Sequence, residues 1–277
     1  IKKIYYSFNH YFIRCFLFSL TNQVSIEASS DDNNSINYVH LKNTSTNLSI
    51  IYSTSYQNKI YNQIAKLKKY KNYTIEHPLL ITNPYGTNTT SVYMYFKTSD
   101  ELQATYTIHC EGYNDFSRTL NNNTLSGYTT NHEYLLVGAI PGQINTITVT
   151  LTNKQGKPVD TLSWSYKAPS LQGGDQYLTV DCDDSNASSL SKGLYTVLGN
   201  DVTEDSEEQA YMRLYDNDGI LRSEIPIISY RSHRILFEDN TMYFSISSTK
   251  IVGMDQTGYI SKIYDTGNYK LHHDYIF

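Results

Sequence analysis

The chain has 277 residues and a mass of 31.8 kDa, more than one average domain needs and enough for two cores. Aromatic residues make up 13% of it, tyrosine alone supplies 27 positions, and charged residues account for only 18%, a composition that favours strands and excludes long coiled coils and helical bundles. A net charge of −5 and a pI near 5.9 leave no broad cationic surface for nucleic acid, and no apolar run reaches the roughly 18 to 20 residues that a membrane-spanning helix needs.

Lys2 and Lys3 precede Phe12, Ile13, Phe16, Leu17, Phe18 and Leu20, the charged start and apolar middle of an export signal. Arg14 interrupts the run, and Phe12-Ile13-Arg14 lack the small side chains of a lipoprotein cleavage site before Cys15. The segment reads as a degenerate signal, and the expectation is an exported protein: periplasmic, cell-surface or secreted. Residues 29–49, rich in Ser, Asn, Thr and Asp, hold too little apolar surface to fold alone and read as a linker. Over 53–71, Tyr56, Ile60, Ile64 and Leu67 recur at helical spacing, lysines fill other positions, and Ser53 to Ser55 offer a cap. This predicts one amphipathic helix laid by its stripe on a neighbouring sheet, with a helix lying on a membrane as the alternative. Residues 1–71 thus comprise signal, linker and helix.

Residues 72–168 alternate apolar and polar with a period of two in Ile75–Ile81, Val92–Lys97, Ala104–Cys110, Glu133–Val137, Asn145–Leu151 and Thr161–Tyr166, with Asn-Pro-Tyr-Gly, Glu-Gly, Pro-Gly and Asn-Lys-Gln-Gly turns between runs. Six or seven such strands predict an immunoglobulin- or fibronectin-like β-sandwich that folds independently. Residues 169–176 read as its boundary. Cys15, Cys110 and Cys182 have no zinc-ligand spacing; Cys110 and Cys182 read as free thiols, with a bridge between them as the alternative.

From 177 onward the sequence repeats. Tyr215-Asp216-Asn217-Asp218-Gly219-Ile220 and Met254-Asp255-Gln256-Thr257-Gly258-Tyr259 are the same kind of hairpin, their glycines 39 positions apart. Ser232–Phe237 and His272–Phe277 match at an offset of 40, pairing His233 with His273. A β-unit recurring every ~40 to 50 residues is the signature of a propeller blade. Residues 177–277 amount to about two blades, so the expected fold is all-β: a sandwich followed by the first blades of an incomplete propeller.

No phosphate loop, GxSxG elbow, HExxH helix or EF-hand loop is present, and no metal or nucleotide cofactor is implied. His233 and His273, at equivalent blade positions, either converge on a polar channel or cap strands and bond to a neighbouring blade. Arg222, Arg231 and Arg234 flank His233 and either hold an anion or pair with acids such as Glu224 and Glu238.

Asn83-Pro84-Tyr85-Gly86-Thr87, the strand Val92–Thr98, Gly138–Pro141 ahead of Asn145–Leu151, Tyr211–Gly219, Tyr230-Arg231-Ser232-His233-Arg234 and His272-His273-Asp274 follow one another in an order that resembles the bacterial aryl-sulfate sulfotransferases over about residues 73–277. The resemblance implies a sandwich ahead of a six-bladed propeller. It implies transfer of sulfate from one phenolic sulfate ester to another phenol, through a sulfohistidine intermediate and without a nucleotide donor. In that family the sulfated histidine lies in later blades, so the implied expectation for this chain is an incomplete catalytic unit. His272-His273-Asp274 matches the early-blade position that supplies an active-site histidine, with His273 favoured by the repeat register and His272 as its neighbour. The implied partners are a phenolic sulfate donor and a phenol acceptor, with a homodimer left open. The competing reading is an exported, non-enzymatic binding protein that presents loops to a glycan or protein ligand.

Overall fold

The computed structural model describes residues 36–121, 126–174, 192–197, 209–229, 234–271 and 275–276. Its first elements are a short helix α1 (Leu48–Ile51) and helix α2 (Thr54–Tyr70). The Ser53 hydroxyl accepts from the amide of Tyr56, satisfying one of the unpaired donors of the first turn. The stripe foreseen from spacing, Tyr56, Ile60, Ile64 and Leu67, is buried, and Gln57 is buried with it. Lys68 and Lys69 stand at the negative end of the helix dipole, and Lys68 reaches Glu133 of the adjacent sheet at 2.6 Å.

Six antiparallel strands build the immunoglobulin-like sandwich: β1 (Leu79–Thr82), β2 (Val92–His109), β3 (Phe116–Leu120), β4 (Thr129–Leu136), β5 (Ile144–Thr152) and β6 (Pro158–Lys167). Strand β2 serves both sheets. Its first half pairs with β1 and β4, its second half with β3 and β5, and β5 carries β6 at the edge. The sequence predicts two strands here, Val92–Lys97 and Ala104–Cys110, where the structure has one. The intervening Lys97–Glu101 lacks Gly and Pro and is largely exposed, so the chain crosses from sheet to sheet without turning, and its pairing with β4 slips between Lys97 and Leu102. Strand β3 escapes the alternation test because only Phe116 of its five residues is buried. The period of two elsewhere is physical. Ala104, Tyr106, Ile108, Ile147, Val149 and Leu151 face the core, while Thr105–Thr119, Thr107–Ser117 and Thr148–Ser163 meet through their hydroxyls on the outer face.

The described part of the stretch read as a linker, 36–49, packs on the sandwich. Val39 donates to the Leu80 carbonyl, Tyr38 accepts from the Trp164 indole at 2.8 Å and stacks on Tyr166, and Val39, Leu41 and Leu48 are buried. Four or five apolar side chains cannot make a core, but they suffice to coat one that already exists.

Beyond the sandwich lie two antiparallel sheets. One joins β7 (Tyr195–Val197), β8 (Ala210–Tyr215) and β9 (Leu221–Ile227); the other is a four-stranded meander of β10 (Ile235–Glu238), β11 (Thr241–Ser247), β12 (Lys250–Met254) and β13 (Ile260–Asp265). The hairpin repeat in the sequence is a repeat of structure. Asp216 Oδ1 accepts from the amides of Asp218 and Ile220, Asp255 Oδ1 accepts from those of Thr257 and Tyr259, and Gly219 and Gly258 take φ of 71° and 86°. Each aspartate ties its own turn, and each glycine supplies the left-handed residue that the turn demands.

Gly138 separates glycine's two uses. Its φ is 108°, and a Cβ there would lie 2.4 Å from the Phe116 ring, whereas a Cβ at Gly156 (φ 75°) meets nothing within 4 Å. Both Gly→Ala changes carry the left-handed penalty of about 1–2 kcal/mol, and Gly138→Ala adds an overpacking cost of about 1–3 kcal/mol. Urea denaturation of the two variants should rank them in that order.

Candidate functional site

Of the predicted site residues, Arg234 lies within the described residues; Arg231, His233, His272 and His273 lie outside them. Arg234 is half-buried immediately before β10, and its carbonyl accepts from the Tyr275 hydroxyl at 2.6 Å. The same hydroxyl is 3.3 Å from the Tyr243 carbonyl on β11. Tyr275 follows His272-His273-Asp274, and Arg234 follows Arg231-Ser232-His233, so two residues 41 positions apart that border the two histidine motifs are hydrogen-bonded. Lys262 on β13 donates to the Tyr243 hydroxyl at 2.6 Å, which pushes the lysine pKa upward. Around Tyr243 the last sheet therefore brings together the Arg234 carbonyl, the Tyr275 phenol and the Lys262 ammonium. Sequence reasoning missed Tyr275, because nothing local in a tyrosine predicts which carbonyl its hydroxyl will meet.

Of the two readings for Arg222, the structure shows pairing with an acid, and that acid is Asp216 rather than Glu224. The arginine does not stand free beside Arg234. Its side chain is fully buried, donates to Asp216 Oδ2 (2.6 Å) and to the carbonyls of Gly138 (3.3 Å) and Asn114 (2.6 Å), and lies over the Phe116 ring. Glu224 pairs instead with Arg213 at 2.9 Å. The Glu224 carboxylate also accepts from the Thr89 hydroxyl and from the amides of Gln172 and Gly173. These groups form a polar seam between β9 and the β1–β2 loop, where Thr90 meets Ser223 and Ser223 meets Asn88. Arg222 fastens the first sheet to the sandwich through the Gly138 and Asn114 carbonyls, and Arg213 braces Glu224 and the Gly173 carbonyl of the connecting segment.

His132 is a second histidine environment, inside the sandwich. It is wholly buried, stacked on Phe96 with centroids 4.4 Å apart, and bonded through its two ring nitrogens to Thr98 and Tyr134. Burial pulls its pKa down to about 4, so it is a neutral core residue. Cys110 is a buried free thiol whose pKa burial raises, and Cys182 lies outside the described residues. A cleft of about 330 Å³ opens between residues 39–46, the β1–β2 loop and Pro169–Gln172, with no Asp, Glu, Lys or Arg in its lining. His40 is among its lining residues. Among the described residues no helix is long and apolar enough to cross a membrane.

Residues 79–169 match the family model described as the arylsulfotransferase Ig-like domain, and residues 179–277 match the model described as arylsulfotransferase (ASST). The first match covers β1 to β6 and the second runs through the repeated hairpins to Phe277. Among curated proteins no match was found.

Glu224→Ala leaves the Arg213 charge buried opposite a void and strips an acceptor from Thr89 and the 172–173 amides. It should cost about 3–5 kcal/mol by urea denaturation and open the chain to protease near Ala168–Gly174. For His132, the folded pKa lies below the unfolded value of about 6.5. Acid therefore favours the unfolded chain, and the stability present above pH 6.5 declines as pH falls toward about 4. At pH 5 the loss amounts to about 2 kcal/mol relative to pH 7. His132→Gln should be less stable than the wild type at pH 7 and lose less between pH 7 and pH 5; parallel loss in both proteins would assign the acid sensitivity elsewhere.

Proposed function

The chain belongs to the arylsulfotransferase family, and from that premise we propose that it serves sulfate transfer from a phenolic sulfate ester to another phenol through a histidine intermediate. The division we adopt is a sandwich at 72–168 and a propeller portion from 177, with the four-stranded meander as one blade. His273, the favoured histidine, donates to the sulfuryl oxygens. His272 is its neighbour, His233 is a structural repeat mate, and Arg231 and Arg234 hold the anion. A sulfuryl group spreads charge over three oxygens, so preorganised His and Arg donors stabilise its transfer, and a histidine nucleophile splits that transfer into two steps. The phenol finds a tyrosine-bearing surface.

The observation that carries this reading is the 2.6 Å hydrogen bond between Tyr275 and Arg234. It supports a common location for two motifs that the sequence alone relates only by a 40-residue offset. Asp274 beside His273 supports the choice between the histidines, because a carboxylate orients an imidazole whereas Arg234 next to His233 does not. Export to the periplasm, cell surface or medium belongs to the same proposal.

The two blade-like sheets of the described residues do not enclose a channel, since propellers close with roughly four to eight blades. The purified chain is therefore expected to bind a chromogenic phenyl sulfate, to lose that binding on His273→Asn, and to pass its sulfate to an excess of acceptor phenol, with release of the chromogenic phenol, far more slowly than about 1 per second. Sustained turnover at or above that rate would make a histidine of this chain the nucleophile. Failure to bind any aryl sulfate would remove the sulfotransferase reading in favour of a non-enzymatic binding protein.

A further inference from the structure

The repeat places Tyr275 where Ile235 stands 40 positions earlier, so one of two equivalent positions carries a hydroxyl. That hydroxyl does not point to solvent by default; it spans to the preceding unit, donating to the Arg234 carbonyl at 2.6 Å with the Tyr243 carbonyl at 3.3 Å as a second acceptor. Tyr243 is itself fixed. Its ring is buried, its phenol receives Lys262, and its main chain is held in register between β10 and β12. Arg234 stands just before β10, the edge strand of the sheet, whose pairing begins at Ile235 with Phe244. The hydroxyl of Tyr275 therefore ties the backbone of a residue at an open strand end to a rigid neighbour.

We propose that Tyr275 is a positioning residue for Arg234. It acts on the main chain from which the guanidinium projects and so sets where that guanidinium meets the sulfate group of an aryl sulfate. The proposal rests on the sulfotransferase reading for the identity of the anion, and on the hydrogen bond alone for the coupling. Removing the phenolic oxygen leaves the arginine in place but removes the hydrogen bond to its carbonyl.

A double-mutant cycle tests it with the whole chain. 4-Nitrophenyl sulfate is titrated into the wild type, Tyr275→Phe, Arg234→Ala and the double variant, with melting temperature recorded for each. Tyr275→Phe should weaken binding about fivefold, as expected for loss of one hydrogen bond, and Arg234→Ala about tenfold or more. In the Arg234→Ala background, Tyr275→Phe should have no further effect on binding, a non-additivity that a packing role would not produce. Additive effects overturn the proposal, as does a lowered melting temperature with unchanged affinity, and in both cases the sulfotransferase reading stands. A wild-type chain that binds no 4-nitrophenyl sulfate overturns the reading and the proposal together.

Discussion

Five consecutive polar residues, Thr87 to Ser91, are buried in the loop between β1 and β2, and the arrangement of the described residues follows from the need to satisfy them. A buried polar group without a partner costs about 1–3 kcal/mol, so five in a row could not be hidden by apolar packing alone. Each finds a partner: Thr87 the Gly258 carbonyl of the β12–β13 hairpin, Asn88 and Thr90 the hydroxyl of Ser223 on β9, Thr89 the carboxylate of Glu224 on the same strand, and Ser91 the carbonyl of Asn88 within the loop. One loop thereby fixes two sheets against the sandwich. Tyr166 adds a hydrogen bond to the Thr90 carbonyl from within the sandwich, and Tyr52 reaches the Pro226 carbonyl from behind α1. The Asn-Pro-Tyr-Gly-Thr motif begins this loop, with Asn83 and Gly86 in left-handed conformations, and its chemistry is that of a joint.

Glu224 shows why the joint is ionic as well as polar. Its carboxylate is fully buried and takes donors from the sandwich loop, from the connecting segment and from β8. Buried pairs of this kind gain little over apolar packing but are costly to break singly, which makes them better at fixing a geometry than at deepening a free-energy well. Such a joint holds the first sheet at one orientation to the sandwich.

The parts of this fold legible in the sequence are those encoded locally. The α2 stripe and its Ser53 cap, the alternation of β5 and the paired Asp-x-x-Gly hairpins each follow from spacing that three to ten residues can carry. What escaped is non-local or edge-like. The continuity of β2 escaped because a polar stretch between two alternating runs looks like a turn, although it lacks turn residues. Strand β3 escaped because an edge strand buries one residue, and the packing of 36–49 because a coating segment resembles a linker in composition. The partners of the arginines escaped most completely: Arg222 with Asp216 and Arg213 with Glu224 are choices among several acids that only the pairing register of β8 and β9 resolves. Of the site, the histidine motifs and their offset were visible in the sequence; that Tyr275 touches Arg234 was not, because contact across 41 residues leaves no local trace.

Gln57 carries a consequence for how the chain is made. Its side-chain amide donates to the carbonyls of Ile51 and Tyr85, while its carbonyl oxygen accepts from the amide of Ile260, 203 residues further on. During synthesis at about 5–20 residues per second, α2 leaves the ribosome roughly ten to forty seconds before that partner exists. Through this interval the face of the helix that will lie against β13 has only the sandwich to cover it, and Tyr61, which later meets Tyr259, faces water. The nascent chain must therefore pass through a state with its early helix half-clothed, and the closing of the fold waits on its last sheet.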